Sequence, residues 1–84
     1  MPPKVSKVEA LPNYRLKLSF DNGEVRVFDV TPYISKGIFQ ALQSVDYFEQ
    51  VKPFFGGVQW PQEQDLSPDT LYLESTVEET TAAA

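Results

Sequence analysis

The sequence predicts a single α+β domain: a three-stranded antiparallel meander, then short helices, a second hairpin and a short C-terminal helix. Three observations point there. Residues 14–20 alternate apolar and polar side chains, with Leu16, Leu18 and Phe20 on one side and Arg15, Lys17 and Ser19 on the other, the period of a half-buried strand. Asn22-Gly23 follows at once, the dipeptide that most favours a tight hairpin. Beyond Val30, two Ser-led or Thr-led cap signatures and a Gly-Gly pair mark short helices and another hairpin.

The elements follow in order. Residues 4–10 form a first strand, with Val5 and Val8 out of strict alternation as a bulge would leave them. Leu11-Pro12-Asn13 is a turn, because Pro presets φ and Asn tolerates the left-handed region. Residues 14–20 and 25–30 are the second and third strands. Their register has two solutions. A two-residue loop pairs Phe20 with Val25 and Leu18 with Val27. A three-residue loop with a bulge at Gly23 pairs Phe20 with Glu24 and Leu16 with Phe28, but places Glu24 and Arg26 on the apolar side. A bulge partway along the third strand satisfies both ends and is the expectation.

Thr31-Pro32 reads as an N-cap followed by Pro at the first helical position, opening a turn that stops near Gly37. Two short helices are expected over 38–43 and 45–50, divided by Ser44 and Asp46 as a new cap. Residues 52–60 form the second hairpin, turning at or near Gly56-Gly57, with Pro53 at an edge or a strand start. Residues 62–66 are a loop. Ser67-Pro68-Asp69 repeats the cap signature for a helix over 68–74 that turns Leu71 and Tyr72 inward. The domain thus spans 1–75, and 76–84 is expected to be a flexible polar tail.

With 84 residues the chain holds one domain, and 11 aromatics (6 Phe, 4 Tyr, 1 Trp) are enough to seed its core. There is no Cys and no His. Disulfides, thiolate nucleophiles, ordinary zinc sites and every imidazole-based dyad or triad are therefore excluded. The net charge of −5 is unevenly spread: all seven bases fall in residues 1–52 with six acids, and residues 53–84 carry six acids and no base. That half repels phosphate, which disfavours direct nucleic-acid binding. No run approaches the ~20 apolar residues of a membrane span, and Met1-Pro2-Pro3-Lys4 lacks the apolar run of a signal peptide. The expectation is a cytoplasmic protein with no membrane contact.

The later residues carry a resemblance. Gly37-Ile38-Phe39 with Leu42, Tyr47-Phe48, Val51, Val58-Gln59-Trp60-Pro61 and Asp65-Leu66-Ser67-Pro68-Asp69-Thr70-Leu71-Tyr72 together resemble a bacterial family catalogued as domain of unknown function 2442. The resemblance covers about residues 5–75, and the stretch from Trp60-Pro61 to Tyr72 is its most specific part. It implies a small α+β domain with a three-stranded antiparallel sheet followed by helices and a further hairpin. It implies no established activity. Some members carry a helix-turn-helix domain after it, which this chain is expected to lack. Members are often encoded beside another small protein, which suggests a toxin–antitoxin-like pair. Pro61-Gln62-Glu63-Gln64 departs from the family's usual Gly or Asn turn, which affects the shape of that loop.

Four sets of side chains are candidates for function. Glu63, Asp65 and Asp69 fall within seven residues and, with Asp29, could hold a hard cation or do acid–base work. Capping and loop bonding by these acids is the more ordinary role, and their spacing matches no EF-hand. Arg15, Lys17 and Arg26 share the outer face of the first hairpin on the two-residue-loop register, a basic patch for an acidic partner or for phosphate, although a solvated sheet face is the more ordinary role. Trp60 and Tyr72 are the residue types that anchor interfaces, although a core role is commoner for both. Ser35 and Ser67 lack a His to activate them. Gly56-Gly57 has no following Lys-Ser/Thr and is a turn, so no cofactor motif is present. The reading that results is a non-enzymatic protein-interaction module, with a protein partner or a second copy covering exposed strand edges. The alternatives are a carboxylate-based metal-dependent or acid–base enzyme, and a transcription-related nucleic-acid regulator.

Overall fold

The computed structural model describes residues 3–77 and confirms the α+β class. The meander comprises β1 (Val5–Leu11), β2 (Arg15–Phe20) and β3 (Val25–Asp29), all antiparallel. The bulge lies in β1: Val5 faces Phe20 and Lys7 faces Ser19, so Ser6 is the extra residue. The β1–β2 turn runs through Asn13 (φ 65°) and Tyr14 (φ 59°). A tyrosine tolerates the left-handed region here because its ring is pinned. It meets Phe48 edge-on at 5.3 Å, and its hydroxyl donates to the Gln43 carbonyl.

The second hairpin register corrects the expected compromise. Phe20 N–H donates to Glu24 O (2.9 Å) and Phe20 O accepts from Gly23 N–H (3.0 Å), with Gly23 at φ 91°. The loop is therefore the three-residue form, and the β2–β3 ladder runs unbroken from Ser19↔Val25 to Arg15↔Asp29. Directly opposed residues share a face. Leu16 and Leu18 consequently share the core face with Phe28 and Arg26, and no bulge in β3 returns Arg26 to solvent.

Thr31 is not a helix cap. Its N–H and hydroxyl both donate to Asp29 Oδ1 (3.0 and 2.7 Å), and residues 31–36 form successive turns. A 3₁₀ helix, Gly37–Gln43, and α1 (Val45–Phe48) follow, the second capped by Ser44 Oγ accepting from Tyr47 N–H. The chain then forms β4 (Lys52–Phe54) and β5 (Gly57–Gln59). Where a loop was expected, Asp65–Leu66 adds a third strand, β6, to this second sheet, in the order β4-β5-β6. Helix α2 (Pro68–Glu74) has the expected Ser67 cap, Pro at its start and Asp69 in the first turn. Thr76–Val77, assigned to the tail by sequence, forms β7 against β3 and makes the first sheet four-stranded, β1-β2-β3-β7. Residues 78–84 of the expected tail lie outside the described residues.

The core sits between the inner face of the first sheet and the helices and second sheet. It is built from Val5, Leu16, Leu18, Phe20, Phe28, Val30, Leu42, Phe48, Val58, Trp60, Leu66 and Leu71. The two sheets join where Val5 N–H donates to Gly56 O (2.8 Å), and α2 packs on both β3 and β5. Gln64 is the most deeply buried polar residue among those described, 2% exposed. It accepts from the Tyr47 hydroxyl (2.6 Å) and donates to Ile38 O (2.9 Å), tying α1, the 3₁₀ helix and the β5–β6 turn together. No helix among the described residues is long and apolar enough to cross a membrane.

Candidate functional site

The side chains singled out by sequence do not assemble into one site. Arg26 leaves the expected basic patch. Arg15 and Lys17 stand on the outer face, opposite Asp29 and Val27, whereas Arg26 turns inward opposite Leu18. There its guanidinium pairs with Glu24 (2.8 Å) and lies 4.1 Å from the Tyr72 ring centroid. The Tyr72 hydroxyl donates to Glu24 Oε2 (2.7 Å). That hydrogen bond, helped by those from Asn22 and Arg26, holds the Glu24 carboxyl below its ordinary pKa against the opposing effect of burial. Tyr72 also meets Phe20 edge-on at 5.3 Å. Glu24, Arg26 and Tyr72 thus close the core at its hairpin end. Two opposite charges sit on an apolar face because a tyrosine from α2 covers and bonds them.

Trp60 is fully buried, and its indole N–H donates to Phe48 O (2.9 Å). It is a core plate and offers no surface to a partner. Glu63, Asp65 and Asp69 are all exposed. Glu63 sits in a tight turn at φ 75°, Asp65 pairs with Gln59, and Asp69 lies in the first turn of α2. Among the described residues no group of three acidic side chains is placed to hold a metal ion. Asp29 is spent on Thr31. Tyr33, which donates to Glu74 (2.6 Å), has its pKa raised by that bond and further by burial, and stacks on Phe28. It is a structural strut between the turn region and α2.

The features that stand out lie elsewhere. In the β4–β5 hairpin, Phe54 pairs with Gly57, so the two loop residues are Phe55 (φ 47°) and Gly56 (φ 83°). The turn falls one residue earlier than Gly56-Gly57 suggests, for a tertiary reason. A Cβ on Gly57 would lie 2.1 Å from Leu66 O, so Gly57 is required inside the strand by the close approach of β6. This leaves a phenylalanine in the left-handed region, where Asn or Gly is normally found. Tyr14 shares that conformation but is pinned by packing. Phe55 is 88% exposed, and among the described rings only the neighbouring Phe54, 36% exposed, meets it, edge-on at 4.5 Å. Lys52 shares a strand face with Phe54, and the Lys4 side chain runs 3.1 Å from where a Gly56 Cβ would stand. Together they make an aromatic knuckle flanked by two lysines.

At the other end of β1 lies a cleft of about 300 Å³ between the β1–β2 turn and α1. Leu11, Pro12, Tyr14, Val45 and Phe48 line its apolar part, and Glu49 stands at its polar side. Sequence reasoning missed both features. The one available signal for the knuckle was Phe54-Phe55 itself, since successive residues of a strand face opposite ways and the core takes at most one.

The family model described as "Protein of unknown function (DUF2442)" matches residues 5–76, and the chain belongs to that family. No curated protein and no solved structure matches the chain.

Proposed function

We propose that this DUF2442 member is a protein-interaction module without catalytic chemistry of its own, and that the Phe54–Phe55 knuckle is its recognition element. The observation that carries this reading is Phe55: a large apolar side chain, 88% exposed, held in a backbone conformation that costs a bulky residue about 1–2 kcal/mol. The fold recovers only part of that cost through the edge-on contact with Phe54, and an Asn-Gly loop would close the same hairpin without it. Strain together with exposure of this kind is characteristic of a binding site. The titratable groups with shifted pKa, Glu24 and Tyr33, are tied to neighbouring elements in structural roles, which gives an acid–base reading no support. In its finer form the proposal makes the chain one half of an antitoxin-like two-protein pair in the bacterial cytoplasm, as the habits of the family suggest.

The test is capture from the native host with the tagged full chain, wild type beside Phe55→Asn. The expected result is a stoichiometric protein, a second copy or another small protein, held by the wild type and lost with the variant. Equal retention by both, or retention of nothing, overturns the reading.

A further inference from the structure

We propose that the knuckle docks into the cleft of a second copy of this chain. The inference rests on the reading of the knuckle as a recognition element and commits to its occupant. Two surfaces of one molecule are complementary. The knob is a phenyl ring that the fold leaves 88% exposed. The hole is a cleft of about 300 Å³ walled by Leu11, Pro12, Tyr14, Val45 and Phe48, and an enclosed apolar space of about 150 Å³ is already enough to hold benzene. Val45, at the mouth, is itself 56% exposed and would be covered by the ring.

The charges agree in sign. Lys4 and Lys52 flank the knob, while Glu49, exposed at the C-terminal cap of α1, lines the hole. Among the described residues none of these three is in an ion pair. An aromatic knob flanked by lysines and an apolar cleft with a glutamate in its wall are complementary in charge across copies. Knob and hole lie at opposite ends of β1: the hairpin carries Gly56 against Val5, and the cleft begins at Ala10. A single copy therefore cannot satisfy itself. A two-fold pair can, with each copy giving one knob and taking one, which closes the contact without an open chain.

Sedimentation velocity on the full-length protein across a concentration series tests this. The wild type is expected to dimerise in the micromolar range. Phe55→Asn (knob removed) and Val45→Glu (hole blocked) should each weaken the dimer by about tenfold or more, the loss expected for an interface hot spot. Leu73→Ser, at an apolar residue 76% exposed elsewhere, should leave it unchanged. Unaltered Trp60 emission shows that each variant is folded. A wild type that stays monomeric into the high micromolar range overturns the inference, as does a dimer that Phe55→Asn or Val45→Glu leaves intact. A monomer whose capture of another protein still depends on Phe55 overturns the second-copy inference alone; loss of that dependence as well overturns the recognition reading too.

Discussion

Replacing Phe55 by Asn should stabilise the monomer, and the size of the effect follows from three contributions. The left-handed region holds Asn several-fold more often than an average residue, a relief of about 1 kcal/mol at φ 47°. Burial contributes little in the other direction, because Phe55 is 88% exposed. The edge-on contact with Phe54 at 4.5 Å is lost, worth about 0.5 kcal/mol at a wet site. The net is a gain of about 0.5 kcal/mol, or a Tm rise of roughly 2–4 °C for a domain of this length. The single tryptophan, Trp60, is fully buried, so its fluorescence reports global unfolding. Melts should be recorded at the lowest workable concentration, where the wild type is monomeric. As concentration rises, the wild type should gain stability by mass action and the variant should not, so the gap narrows or reverses. A fall in Tm of several degrees in the dilute sample would show that Phe55 serves the fold, and would refute the argument from strain.

Gly57→Ala should cost at least about 2 kcal/mol in chemical denaturation, since its Cβ would meet Leu66 O at 2.1 Å and backbone must move; a neutral outcome would contradict the strand position of Gly57. Gln64→Ala removes two hydrogen bonds from the interior and leaves Ile38 O without its donor, an expected loss of about 2–4 kcal/mol and a Tm lower by roughly 10 °C or more. Glu24 gives the acid limb of stability. Its folded pKa lies below the unfolded value, so its contribution is complete at neutral pH, starts to fade as pH falls toward the ordinary 4.5, and is gone below the folded pKa. Glu24→Gln should flatten that part of the stability–pH curve, and a curve unchanged by the substitution would show that the Tyr72 and Arg26 contacts do not select the carboxylate.

What was legible in the sequence was local. The alternation of Leu16, Leu18 and Phe20, the Asn22-Gly23 turn and the Ser44 and Ser67 caps each depend on neighbours a few residues away, and each stands as read. The register of β3 was misjudged because Glu24 and Arg26 were assigned to solvent on polarity alone. What keeps them inside is Tyr72, 46 to 48 residues further on, which supplies a ring, a hydroxyl and a carbonyl to the pair. The two-residue strands β6 and β7 carry no periodicity of their own and exist only as partners of β5 and β3. The site was illegible for a related reason. Gly56-Gly57 marks a turn by composition, but one of the two glycines is reserved for the approach of Leu66, and this moves the loop back onto Phe55. Trp60 drew notice as an interface residue type, yet its indole donates to Phe48 O inside the core.

The most direct test of the knuckle as the recognition element is site-specific photo-crosslinking in the native host, with a benzophenone amino acid at position 55 and, as control, at the exposed position 62. A discrete covalent adduct is expected at 55, of the mass of a second copy or of one small partner, and none at 62. No adduct at 55, or the same pattern from both positions, would contradict it.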